Sequence, residues 1–238
     1  MSLATFFKAA GRVPAVGLVA GIAALAACSS SPPARFYTLG GGSGDSTVRT
    51  TAPASFYLEL APVDMPPQVA KNQMVVQDGA AQVRVLEDQR WASLPADEVR
   101  RALSADLSQQ LGAIDVYGTP HPDGAAVYRV KVNVQRFESS PGKRALIDAV
   151  WSVRGVSNQA VLTCRTVSEQ PVVDGYDALV AGHRQAVDAL AGAISAGVKT
   201  VSSAPAPSMT SVSAKSAKPA MPAPPRLLPC PMNAAPAQ

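Results

Sequence analysis

The chain has 238 residues, with 21 Lys and Arg against 17 Asp and Glu, a formal charge of +4 at neutral pH. The excess lies at the two ends: without Lys8, Arg12, Lys215, Lys218 and Arg226, 16 basic residues face 17 acidic ones. A body without clustered Lys and Arg lacks the phosphate-binding surface that a nucleic-acid partner requires. With 3 Cys, 2 His and no metal-ligand spacing, the chain has neither a disulfide framework nor a zinc or iron site, so no cofactor or metal is expected.

Lys8 and Arg12 lead into an apolar run from Val13 to Ala27, rich in Ala, Val, Leu and Gly. The run is too short and too loaded with Ala and Gly to span a bilayer comfortably. Leu25-Ala26-Ala27-Cys28 closes it, the pattern of a bacterial lipoprotein signal. Residues 1–27 are therefore expected to be cut away, leaving Cys28 as the lipid-attachment residue. The alternative is an ordinary secretory signal with an incidental Cys. One acyl chain binds a membrane only marginally, whereas two or more anchor it stably. Ser29 rather than Asp follows the Cys, which resembles enterobacterial lipoproteins sorted to the outer membrane.

Residues 28–34 read as a short polar tether, and Ser29–Ala34 spans at most roughly 20 Å at 3.3 Å per residue. Arg35–Leu39 reads as a short strand and Gly40–Ala52 as a Gly-, Ser- and Thr-rich loop. Phe56–Val63 has strand composition and exits at Met65-Pro66-Pro67. Gln73–Gln77 and Gln82–Leu86 flank Asp78-Gly79, a hairpin signal. A helix is predicted over Pro95–Leu111, with Ser93 as cap, Pro95 in the first turn and Gly112 after its end. Val99, Leu103, Leu107 and Leu111 form its apolar stripe.

Ile114–Tyr117 is a short strand. Val127–Phe137 alternates, with Tyr128, Val130, Val132 and Val134 on one face and Arg129, Lys131, Asn133 and Gln135 on the other. Turns at Pro141-Gly142 and Ser157-Asn158 join it to Arg144–Val153 and Ala160–Glu169 as an antiparallel meander. A last helix, opened by Asp174 or Gly175, runs to about Lys199 on a stripe that includes Leu179, Val180, His183, Val187, Leu190 and Ile194. The fold class predicted is α+β: a mixed, largely antiparallel sheet with two amphipathic helices packed on one face. The body is one domain, residues 35–201. Residues 202–238 hold 9 prolines and read as a disordered Ala/Pro/Ser-rich tail, either simply solvated or reaching a partner.

Few residues suggest chemistry. Cys164 lies in a strand-like run and reads as a small buried thiol, with a bridge to Cys230 as the alternative. Arg90-Trp91, just before the first helix, reads as a packing pair or as a partner-contact surface, since both types are favoured at interfaces. His183 on an apolar stripe reads as a core histidine before a catalytic base, and His121 between two prolines as a loop residue. No G-x-S-x-G elbow accompanies them. Gly40–Gly44 lacks the Lys of a phosphate-binding loop, so any ATP hydrolysis belongs to another chain.

Several of these segments together resemble the ABC-type transport auxiliary lipoproteins of the PqiC/YmbA type. Ser31-Pro32-Pro33-Ala34-Arg35-Phe36-Tyr37-Thr38-Leu39 is similar to that family's start after the lipidated Cys. Leu60–Pro66, Arg90-Trp91 with Leu94, Tyr128–Phe137 and the closing helix from Tyr176 match in order, covering about residues 28–200. The resemblance implies a non-enzymatic lipoprotein at the outer membrane, serving an ABC transporter or permease that works with MCE-domain periplasmic proteins. Phospholipid or another hydrophobic lipid would be the cargo, and self-association would be reasonable. The rivals are a structural outer-membrane lipoprotein and, more remotely, an envelope hydrolase, for which an organised nucleophile and base are missing.

Overall fold

The computed structural model describes residues 33–40, 54–206 and 225–231. The chain divides into Met1–Pro33 and a compact unit Ala34–Gln238. In the second unit the strands are β1 (Arg35–Tyr37), β2 (Tyr57–Leu60), β3 (Gln73–Gln77), β4 (Val83–Trp91), β5 (Ile114–Asp115), β6 (Val127–Ser140), β7 (Arg144–Gly155), β8 (Ala160–Pro171) and β9 (Arg226–Leu227). The helices are α1 (Pro95–Leu111) and α2 (Tyr176–Ser202).

The strands form two sheets, β1-β4-β3 and β5-β2-β6-β7-β8-β9. The long pairings β6–β7 and β7–β8 and the hairpin β3–β4 are antiparallel. The short ones, β1–β4, β2–β5, β2–β6 and β8–β9, are parallel. The α+β class with a largely antiparallel sheet is thus as predicted, except that two sheets replace one.

Helix α2 lies along β7 and β8, and α1 packs mainly on α2. Leu179, Val187, Leu190, Ile194 and Val198 of α2 are fully buried against Ile147, Ala149, Trp151 and Val153 of β7. Such side chains each contribute about 1.5–3 kcal/mol on burial. The helix approaches the sheet closely because Gly197 has no side chain: a Cβ there would stand 2.7 Å from the Trp151 ring. Val99, Leu103 and Leu107 bury the inner stripe of α1. Gly112 ends that helix in the left-handed conformation, φ 61° and ψ 30°.

Several local expectations are corrected. The alternation of β6 holds to Val134, where a bulge shifts the register; beyond it Phe137 and Ser139 turn inward instead. In β7 both faces are buried near its start, because Leu146 and Asp148 lie beneath longer charged side chains of the outer face. Ser93 does not cap α1: Leu94 holds the cap position, and the Ser93 hydroxyl donates to Glu98. The tail is not wholly without structure, since Arg226–Leu227 pairs with Ala160–Val161 at the sheet edge. Cys164 is not a free thiol; it is bridged to Cys230, which fastens that segment.

Candidate functional site

The two motifs singled out in the sequence lie side by side. β1 runs parallel to the end of β4 with Phe36 opposite Arg90 and Tyr37 opposite Trp91. The Tyr37 hydroxyl donates to the Gln89 side chain at 2.7 Å, and Ala92 N–H donates to the Tyr37 carbonyl. These contacts join two segments more than fifty residues apart that the sequence offered only as isolated signals.

The chain beyond β1 is held by Glu98, whose side chain is fully buried. Its carboxylate accepts from the Thr38 hydroxyl at 2.7 Å and from Leu39 N–H at 2.9 Å. It also accepts from Ser93 N–H at 3.1 Å, from the Ser93 hydroxyl at 2.6 Å and from the Arg101 guanidinium. Burial alone would raise the Glu98 pKa. The hydrogen bonds from Ser93, Thr38 and Leu39, with the charge of Arg101, outweigh it, so the carboxyl titrates below its ordinary range. Glu98 also sits in the first turn of α1, where the helix dipole favours an anion. From α2, Arg184 donates to the carbonyls of Leu39 and Thr38 at 3.2 and 2.9 Å. The first strand and its exit are thereby tied to β4, α1 and α2 together.

Trp91 forms the floor of this junction and is buried, with only 2 % of its surface exposed. It therefore offers nothing to a partner, and packing is its role. Its ring meets Phe137 and His183 edge-on, at 5.9 and 6.1 Å. Arg90 is the half-exposed member of the pair; it donates to the Glu87 carbonyl and side chain.

His183 is a core residue. It stacks on Phe137 at 4.1 Å, and its Nε2 lies 2.8 Å from the Ser139 hydroxyl. Burial pushes its pKa down to about 3, so the ring is neutral at ordinary pH. The Ser–His contact has the spacing of a nucleophile and base. Both groups are buried, Nδ1 has no partner to orient the ring, and a base titrating near 3 takes no proton at neutral pH. This pair is a structural hydrogen bond.

The other predicted residues lie apart. His121 stacks on Tyr57 beside Glu59, at the opposite end of β6. Cys28 and Gly41–Gly44 lie outside the described residues. Among the described residues no group of three His, Cys, Asp or Glu converges as a metal site. No described helix is long and apolar enough to cross a membrane. A groove of about 610 Å³ opens between the β3–β4 turn and the β6–β7 turn, lined by charged residues that include Arg136, Glu138, Lys143 and Arg144. No large apolar side chain lines it, and four of its nine lining residues are charged, so it is poorly suited to an acyl chain.

Two further polar ties were not foreseen. Asp115 accepts from Arg100, Ser104, Leu60 N–H and Tyr117 N–H, joining α1 to β2 and β5. On the outer face of the large sheet, Asp148 receives a two-pronged contact from Arg165, which holds the Asp148 carboxyl below its usual range.

The junction of Phe36–Leu39 with Arg90-Trp91 lies within residues 37–195 for most of its length, the span that matches the model of the ABC-type transport auxiliary lipoprotein component. The chain belongs to that family. Its fold is shared with the crystal structure of an uncharacterized protein at 21% identity, TM-score 0.54, covering 69% of this chain and 97% of the other. Protein XCC0632 from Xanthomonas campestris is similar at 17% identity, TM-score 0.50, covering 70% of this chain and 92% of the other. Among curated proteins none matches the chain. This lipoprotein is thus a membrane-associated envelope protein of an auxiliary transport class, in which the junction ties the segment nearest Cys28 to the body.

Proposed function

We propose that the protein is a non-enzymatic adaptor of an MCE/ABC-type lipid transport system, docking the periplasm-spanning assembly at the outer membrane. Residues 1–27 are the signal peptide, Cys28 carries the lipid, and residues 28–34 are the tether to the body at 35–201. The observation that carries this reading is the junction itself. A chain held by lipid at one end and by a large partner at the other needs the segment that leads from the lipid fixed to the body. Glu98 and Arg184 supply that fixing through four bonds to Thr38 and Leu39.

Two further observations support the reading. The Cys164–Cys230 bridge suits an oxidising compartment such as the periplasm. The described core is filled by its own side chains, and the charged groove is unsuited to a lipid tail, so the protein would position a carrier without itself carrying lipid. An MCE-domain protein of an ABC or permease transporter is the partner proposed, with homo-oligomerisation a natural way to meet a ring-shaped assembly.

The test is in-cell crosslinking of the tagged full-length protein, then identification of what co-purifies. Recovery of an MCE-domain protein that depends on the body and not on residues 207–238 supports the proposal. Recovery of only barrel or cell-wall proteins overturns it in favour of a structural lipoprotein.

A further inference from the structure

The outer face of the small sheet carries an apolar patch of Phe36, Val75, Val83 and Val85 beside a polar group of Gln73, Gln77, Glu87 and Arg90. Phe36 pairs with Arg90 and Arg90 with Gln73, so these side chains share one side of the pleat. Alternation along β3 adds Val75 and Gln77, with their partners Val85 and Val83, and Glu87 lies on the same side, accepting from Gln73 and Arg90. Phe36, Val83 and Val85 are 66%, 52% and 39% exposed, while Tyr37, Met74, Val76 and Trp91 point to the core side. The outer face of the large sheet differs: it carries Arg129, Lys131, Arg136, Arg154 and Arg165.

We propose that this face of β1, β4 and β3 rests on the bilayer surface, with Phe36, Val83 and Val85 at the boundary of headgroups and acyl chains. The proposal rests on the reading of Cys28 as the lipidated residue. Phe36 follows Cys28 by only eight positions, a reach of at most roughly 26 Å at about 3.3 Å per residue. Any face of the body that touches the membrane must lie within that reach, and Phe36 is itself part of the apolar patch. Three aliphatic and aromatic side chains bind a membrane weakly when free. Tethering makes the contact intramolecular, at an effective concentration on the order of millimolar, so weak insertion suffices to orient the body. The nearby cations Arg84 and Arg90 are paired with Asp78 and Glu87. Attachment by this face is therefore driven by apolar burial and is insensitive to salt.

The test uses full-length lipidated protein in vesicles of phosphatidylethanolamine with a minor share of phosphatidylglycerol. The environment-sensitive fluorophore NBD is placed at Phe36→Cys, Val85→Cys or, as a control at the far end of α2, Lys199→Cys. In the oxidised protein Cys164 and Cys230 are bridged, so they do not compete for label. Emission at 36 and 85 is expected to shift to the blue and to be quenched by lipids spin-labelled near the headgroup, with no loss in molar salt. Emission at 199 should remain that of an aqueous probe. Vesicles that float with the protein while probes at 36 and 85 stay aqueous overturn the proposal and leave the lipid anchor standing. Failure to float removes the anchor reading instead, and the proposal with it. A blue shift that arises without vesicles and grows with protein concentration means that a second copy covers the face, which also overturns it.

Discussion

The two ends of the folded body are fastened by opposite means. At the N-terminal side, the exit of β1 at Thr38 and Leu39 is held by non-covalent bonds that converge on one buried carboxylate, Glu98. At the C-terminal side, β9 has two paired residues and a covalent bond, Cys164–Cys230. The first arrangement is woven into the core: Glu98 reaches the exit of β1, the β4–α1 connection and α1 at once. The second lies at an edge, where Leu227 is 78% exposed. A bond's strength and its share in the stability of the whole are therefore different quantities here. The weaker bonds are placed where their loss propagates.

Breaking the N-terminal fastening should have the largest effect. Glu98→Ala leaves the Leu39 and Ser93 N–H groups and two hydroxyls without their acceptor, and should cost about 3–5 kcal/mol in urea unfolding. Glu98→Gln keeps the shape but removes the charge that Arg101 and four neutral donors satisfy, and should cost about 1–3 kcal/mol. If Glu98→Ala unfolds at the wild-type midpoint, the junction contributes nothing and the contrast between the ends fails.

Acid should weaken the same region next. The His183 pKa falls from 6.5 to about 3 on burial, so the unfolded chain binds the proton that the native state refuses. Stability is full above pH 6.5 and declines as pH falls, with a slope approaching about 1.4 kcal/mol per pH unit. Glu98 and Asp148, whose folded pKa values are lowered from 4.5 and 3.8, contribute stability that is present above those values and lost as pH falls through the folded ones. The window from 6.5 to about 4.5 thus belongs chiefly to His183. Denaturant midpoints measured across that window should slope in the wild type and flatten in His183→Phe. An unchanged slope would show that the buried imidazole is not the source.

What the sequence disclosed follows from where the physics is local. The bounds of α1 were readable because the Pro95 start, the four-residue apolar spacing and Gly112 all lie within the segment itself. The β6–β8 meander was readable from its alternation and its turns. The parallel pairings were not, since two or three paired residues carry too little pattern to specify a partner dozens of residues away. Glu98 was missed because an acid in a first helical turn ordinarily faces solvent. Its signal was present nonetheless: it follows Pro95 by three and precedes Ala102 by four, and both are buried on that side of the helix. Trp91 was readable only as one of two alternatives, and its burial under Phe137 and His183 depends on a bulge in β6 that nothing local announced.

The close approach of α2 to β7 gives a smaller, more local break. Gly197→Ala places a methyl within 2.8 Å of two Trp151 ring atoms, and backbone or ring must shift to admit it. Thermal or urea unfolding should register a loss of about 1–3 kcal/mol, whatever helix propensity gains. Gly192→Ala on the same helix meets nothing within 4 Å and is the matched control, expected to be neutral or stabilising.

The smallest global effect should come from the strongest bond. The Cys164–Cys230 link closes a loop of 66 residues in the unfolded chain, for which loop entropy alone suggests about 4 kcal/mol. In the native state, however, reduction also frees Cys230 from the sheet edge, at a separation of 28 residues from the end of α2 at Ser202, so the folded chain gains entropy as well. The two closures largely cancel, and what remains is about 0.8 kcal/mol from the difference in loop length. Cys164→Ser with Cys230→Ser should therefore move the urea midpoint little, while opening residues 225–231 to proteolysis. A loss near 4 kcal/mol would mean that those residues stay seated without the bond, and that the edge is held as firmly as the junction.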